Sequence, residues 1–216
     1  MGEDADQRNG YYPVSLDVAG RPCLVVGGGP VAARKARGLL ASGAAVTVIA
    51  PDLCPDMAAL SPLAVERRPY ARGDADRFRL VVTATGIAEV DGAVYADADA
   101  AGVWVNSADD RAHCSFILPS VHRDGAVTIA VSTGGSAPAM ASWLRARLAA
   151  HAGTGVGALA YVLGEARTRL QEAGVSPQSV DWTALLDGPL PSLVEEGRLD
   201  SARALLAAAV ANVVEN

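Results

Sequence analysis

Between Cys23 and Lys35 the chain reads Cys-Leu-Val-Val-Gly-Gly-Gly-Pro-Val-Ala-Ala-Arg-Lys. An apolar run this short, closed by glycine, reads as a buried strand. The proline fits the first turn of a helix, where its missing N–H costs nothing. A strand, a tight turn and a helix in that order bring backbone N–H groups and the positive end of a helix dipole to one point. Gly27-x-Gly29-x-x-Ala32 also fits the dinucleotide fingerprint: one glycine for the turn, one for close approach of backbone to phosphate, and a small residue for helix–strand packing. A dinucleotide is therefore the first ligand to consider. The same pattern serves equally as a tight turn with no ligand, so the rest of the chain has to decide.

The alternation repeats beyond Lys35. Strands are predicted over 21–26, 45–50, 65–68, 79–83 and 102–106, with helices over 31–41 and 88–100. The run Ala-Val-Thr-Val-Ile-Ala at 45–50 is too apolar to have a wet face, as expected in a parallel sheet covered on both sides. Strands alternating with helices at this spacing imply βαβ units, hence an α/β fold with a Rossmann-type parallel sheet. The pattern then changes. Residues 114–118 and 126–131 read as two strands with His122-Arg123-Asp124-Gly125 as their turn, an antiparallel hairpin. A helix is predicted over 139–150. Gly153 to Gly157 suits a boundary, and 158–216 has helical periodicity broken at Gly174, Pro177 and Gly188-Pro189. The expected organisation is a nucleotide-binding domain at 11–113, a hairpin–helix region at 114–152 and a small helical domain at 153–216.

Composition narrows the function classes. Half of the 216 residues are hydrophobic and 19% are charged, which is enough for a sizeable core. A net charge of −6 argues against a general nucleic-acid binder. The three cysteines are odd in number and form no C-x-x-C, so neither a disulfide framework nor a zinc knuckle is expected, and reduced thiols point to the cytoplasm. His113, His122 and His151 are scattered, so no metal site is expected. No apolar run approaches the ~20 residues that span a bilayer. Residues 1–10 read as a loose polar tail without the features of a signal peptide.

Several residues are candidates for chemistry. The second strand ends in Ala50-Pro51-Asp52. An acid there can hold an adenosine ribose and disfavours a 2′-phosphate, so NAD is expected over NADP; the same acid also reads as a solvated loop carboxylate. Asn106-Ser107-Ala108-Asp109-Asp110 follows a predicted strand at its carboxyl end, where open α/β sheets bind ligands. A carboxylate placed there can take a proton, although adjacent loop acids are also commonly just solvated. Ser132, Thr133 and Ser136 lie at a second strand–glycine–helix junction, able to bind an anion or to cap the helix. Arg34, Lys35, Arg37 and Arg145 can gather positive charge locally; Lys35 is the only lysine.

These pieces join others. They are Tyr12-Pro13, Val26-Gly27-Gly28-Gly29-x-Val31-Ala32-x-Arg34-Lys35, Ala84-Thr85 and Val105-Asn106-x-x-Asp109. Then come Cys114-x-Phe116-Ile117-x-Pro119, Ala130-Val131-Ser132-Thr133-Gly134-Gly135-Ser136-x-Pro138 and Leu144-Arg145. In this order they resemble the precorrin-2 dehydrogenases, alone or fused to sirohydrochlorin ferrochelatase activity, which form the N-terminal module of sirohaem synthases. The likeness covers residues 12–150; residues 158–216 show no assignable motif. It implies NAD as cofactor, a homodimer with interlocked arms built on the hairpin region, and oxidation of precorrin-2 to sirohydrochlorin. It allows Fe2+ insertion into that ring as a second activity. It places the catalytic carboxylate at Asp109 and the cofactor contacts at Gly27, Gly28, Gly29, Pro30, Val31, Pro51, Asp52 and Thr85. The substrate contacts fall on Asn106, Ser132, Thr133 and Arg145. Thr133 stands where relatives often have serine and keeps the hydroxyl, whereas Ala137 loses one. Two other readings stay open: a non-catalytic NAD-binding regulatory module, which explains the glycine turn but not the series from Asn106 to Pro138, and a pure iron chelatase without redox use.

Overall fold

The structure, a computed structural model, describes residues 10–215 and divides into two compact units at Leu118–Pro119. The tail read over 1–10 lies outside the described residues except for Gly10.

The first unit is a five-stranded parallel sheet in the order β3-β2-β1-β4-β5. Its strands are β1 (Pro22–Val26), β2 (Ala45–Ile49), β3 (Ala64–Glu66), β4 (Leu80–Thr83) and β5 (Trp104–Ser107). Helix α1 (Pro30–Ala41) joins β1 to β2, a single turn α2 (Pro55–Ala58) precedes β3, and α3 (Ala88–Ala100) joins β4 to β5. The alternation of β1 explains the two layers. Cys23 and Val25 point into one core with Ala32, Ala33 and Ala36 of α1, while Leu24 and Val26 point into another with Val94 and Ala98 of α3. The residues of α1 that are fully buried against the sheet are alanines, Ala32, Ala33 and Ala36, with Leu39 and Leu40 packed beside them, and the helix starts just past the end of β1. At the far edge, Arg68 pairs with Glu66 and, at 2.6 Å, with Asp74. That guanidinium holds both carboxyls below the ordinary carboxylate range.

The second unit opens with the hairpin β6 (Ser120–Asp124) and β7 (Val127–Val131), against which α4 (Pro138–Ala152) packs. Helices α5 (Val156–Glu172), α6 (Trp182–Leu186), α7 (Leu190–Glu195) and α8 (Leu199–Val214) follow. Val162, Ala166, Leu190, Val194, Ala202 and Leu206 form their core. The hairpin is displaced from its sequence-based position. Residues 114–118 are not its first strand: Cys114 makes a single bridge to Asn106, and the Ser115 N–H donates to the Val105 carbonyl at 2.8 Å. This segment folds back over β5, and the first strand of the ladder starts six residues later, at Ser120. His122 and Arg123 are strand residues, and the turn is Gly125-Ala126.

The hairpin turn is joined to α5 through backbone contact. The Gly157 N–H donates to Asp124 Oδ2 at 3.0 Å, supplying a cap that α5 lacks in its own sequence. A Cβ at Gly157 would stand 2.5 Å from the Asp124 carbonyl oxygen. Gly157→Ala is expected to destabilise the protein by about 1–3 kcal/mol, the usual cost of forcing a methyl into filled space. Urea unfolding monitored by circular dichroism checks this, and an unaltered midpoint would show that the turn gives way freely.

Candidate functional site

In a sheet of this order the chain leaves β1 toward one side and β4 toward the other, so a crevice opens between their carboxyl ends. The glycine turn forms one lip. Gly27 has φ +120°, a conformation that side chains rarely adopt, and a Cβ there would run into the Ala84 carbonyl and lie 3.3 Å from the Thr85 nitrogen. A Cβ at Gly28 would collide with the Asp52 carbonyl. The Gly28 carbonyl itself accepts the Cys54 N–H at 2.8 Å. These two glycines therefore let the ends of β1, β2 and β4 converge.

Gly29 is different: nothing stands within 4 Å of the place its Cβ would take. It is the N-cap of α1, which has no side-chain cap and no acid in its first turn. Pro30 contributes no N–H, and the N–H groups after it face the open space at the positive end of the helix. An open, uncapped helix start beside a glycine without side chain fits the pyrophosphate of a dinucleotide, with Gly29, Val31 and Ala32 as its cradle. Pro51 and Asp52 are exposed on the loop after β2, on the same edge of the sheet.

The other lip is Ala84-Thr85. The Asp91 Oδ1 atom on α3 accepts the Thr85 hydroxyl at 2.9 Å and the Thr85 N–H at 3.2 Å, and also accepts the hydroxyl of the fully buried Thr83. Sequence reasoning missed Asp91. An acid in the first turn of a predicted helix was the available signal.

At the end of β5, after Asn106 and Ser107, the chain turns over 108–110. Asn106 is buried; its Nδ2 donates to the Phe116 carbonyl at 3.1 Å and to Cys114 Sγ at 3.4 Å, while its Oδ1 has no protein partner. Asn106 thus clamps the returning segment onto the strand. Cys114 Sγ also accepts the Ser107 N–H at 3.2 Å, and burial pushes its thiol up, so it behaves as a structural pivot rather than a nucleophile. Asp109, two residues past the end of β5, is exposed. Lys35 on α1 is half-buried. Burial pulls its ammonium down from the ordinary lysine value, Arg34 adds to that, and Cys114 and Asp109 oppose it. Asp110 caps the short turn after it, accepting the Ala112 N–H at 2.9 Å and holding His113 Nδ1 at 2.7 Å. That pairing lowers the Asp110 carboxyl, and the His113 ring lies 4.8 Å from Tyr95.

In the second unit, Ser132 Oγ accepts the Gly134 N–H at 3.1 Å and Thr133 Oγ1 accepts the Ala137 N–H at 3.1 Å. Both hydroxyls shape the turn before α4, and each keeps its own proton for donation. Arg145 Nε donates to Ser120 Oγ at 3.4 Å.

The chain is similar to known proteins along most of its length. Residues 14–120 match the family described as putative NAD(P)-binding, and residues 124–151 match the sirohaem biosynthesis protein central family. A siroheme synthase of Chromobacterium violaceum is 40% identical over 199 residues, covering 90% of this chain and 42% of that protein. A siroheme synthase of Methylococcus capsulatus is 37% identical over 205 residues, covering 92% and 43%. The chain therefore spans about two fifths of the length of the curated relatives it matches. The solved structure of SirC, precorrin-2 dehydrogenase, superposes with a TM-score of 0.70 at 24% identity, covering 94% of this chain and 100% of that one, which supports the fold. Over two consecutive segments, 14–120 and 124–151, the chain is thus similar to an NAD(P)-binding domain followed by the central module of sirohaem biosynthesis proteins.

Proposed function

We propose that the protein is an NAD+-dependent dehydrogenase that oxidises precorrin-2 to sirohydrochlorin in the cytoplasm. The observation that carries this reading is the pairing, on one sheet edge, of an open pyrophosphate cradle at Gly29 with an exposed carboxylate at Asp109. Bound NAD+ supplies the hydride acceptor. The chain has to hold that group, align the macrocycle with it and remove one proton, so that precorrin-2 and NAD+ become sirohydrochlorin, NADH and H+. Gly27 to Val31, Pro51, Asp52 and Thr85 hold the dinucleotide. Asp109 takes the proton. Asn106 keeps the loop in place, and the resemblance assigns Ser132, Thr133 and Arg145 of the second unit to substrate binding.

A homodimer completes the reading. Met140, Trp143 and Leu148 of α4 are 55%, 57% and 41% exposed, and Val121 of β6 is 41% exposed, an apolar set that a second copy would cover. Sedimentation should give a dimer, and Trp143→Asp should shift it toward monomer; a wild-type monomer at micromolar concentration would refute this part.

The enzyme reading is tested by titrating NAD+ alone and then with precorrin-2, following visible absorbance. Cofactor binding followed by conversion of the ring supports it, whereas binding with an unchanged ring spectrum identifies a regulatory module. Adding Fe2+ afterwards reports whether the protein also metallates its product.

A further inference from the structure

Asp91 is the most heavily engaged carboxylate near the crevice, and precorrin-2 oxidation gives it no chemical task. It sits in the first turn of α3, whose N-cap Ile87 has no capping side chain. A helix-capping acid would accept N–H groups of its own helix. Asp91 instead spends one oxygen on donors from β4 and the turn after it: the Thr83 hydroxyl, the Thr85 hydroxyl and the Thr85 N–H. Thr85 Oγ1, held this way, accepts the Ile87 N–H at 3.1 Å and so fixes the exit of the turn as well. The clamped segment is the one against which Gly27 is packed, at the lip opposite the pyrophosphate cradle.

From this we propose that Asp91 is a positioning residue for the dinucleotide, holding the β4 lip in its binding-competent shape. The proposal rests on the reading of this crevice as an NAD+ site. With Asp91 present, the inward-turned Thr85 N–H and hydroxyl are already satisfied, so the lip meets the cofactor preformed and binding does not have to order it. Without it, the buried Thr83 hydroxyl and the half-buried Thr85 N–H lose their acceptor, the Thr85 hydroxyl is left with the Ile87 carbonyl at 3.3 Å, and the lip must find another arrangement.

The test is NAD+ affinity by calorimetry, with steady-state kinetics alongside. Asp91→Ala should raise the Kd for NAD+ by about tenfold or more, the scale of losing more than one net hydrogen bond. The loss should fall on KM for NAD+ rather than on kcat or on KM for precorrin-2. Asp91→Asn, whose amide oxygen can still accept from both hydroxyls, should restore most of the affinity. Thr83→Val removes one arm with no change of shape and outside the binding surface; it should weaken NAD+ severalfold, and it decides the matter if Asp91→Ala does not fold. A wild-type Kd in Asp91→Ala, or in Thr83→Val where the alanine variant is unfolded, overturns the proposal. So does a loss confined to kcat. A wild-type protein that binds NAD+ while the variants bind equally well sinks only the role of Asp91, whereas a wild-type protein that does not bind NAD+ sinks the reading of the crevice together with it.

Discussion

Asp109→Ala is expected to slow precorrin-2 oxidation by about 10²–10⁴-fold while leaving the Kd for NAD+ unchanged, the range that a positioned general base contributes. The split comes from where the residue stands. Asp109 lies past the end of β5, exposed, whereas the pyrophosphate cradle is built from the turn after β1. Removing the carboxylate therefore takes away a proton acceptor and leaves the cofactor's contacts in place. Asp109→Asn should be nearly as slow as the alanine variant, because an amide keeps the shape and cannot take the proton. Stopped-flow absorbance of enzyme preloaded with NAD+ measures the chemical step directly. A wild-type rate in either variant would remove Asp109 from the mechanism.

The glycine turn gives the second large effect, and neighbouring residues should behave differently. At Gly28 a methyl would meet the Asp52 carbonyl, and the Gly28 carbonyl is itself engaged by the Cys54 N–H. The loop after β2 has no way to yield without breaking that bond. Gly28→Ala should cost about 3 kcal/mol of stability and, with the crevice distorted, about 100-fold in NAD+ affinity. At Gly29 the methyl would project into open space with the backbone in an extended conformation that any residue adopts. Gly29→Ala should cost less than about 1 kcal/mol, yet still weaken NAD+ by about tenfold, because the methyl occupies room meant for phosphate. Thermal unfolding and calorimetry on the pair separate the two. Equal stability losses would show that the turn is packed in some other way.

The parallel sheet was legible because every signal agreed. The β1 residues face two cores in alternation, so the strand is apolar throughout, and glycine and proline mark its junction with α1. The hairpin was misplaced because the run Cys-Ser-Phe-Ile-Leu at 114–118 is apolar for a different reason. Phe116 packs against the α1 layer and Asn106 grips its carbonyl, which holds the segment against the first unit, while Leu118 stays exposed. The true strand, Ser-Val-His-Arg-Asp, carries no apolar run and takes its register from the Gly125 turn. The turn α2 is too short to show periodicity. At the site, the glycines, Asn106 and Asp109 were visible from motif order. The contacts of Asp91 and Cys114 were not, since their partners lie six to eight residues away on other elements and only the folded chain brings them together.

The proposed transfer of a single hydride from precorrin-2 to NAD+ at the β1–β4 crevice underlies the roles of Gly29, Asp91 and Asp109. Following NADH and ring absorbance together, in the absence of oxygen, measures that transfer. One NADH should appear for each sirohydrochlorin formed, and the ring should stay unoxidised when NAD+ is withheld. Ring oxidation without NAD+, or NADH formed out of proportion to the product, would rule the transfer out.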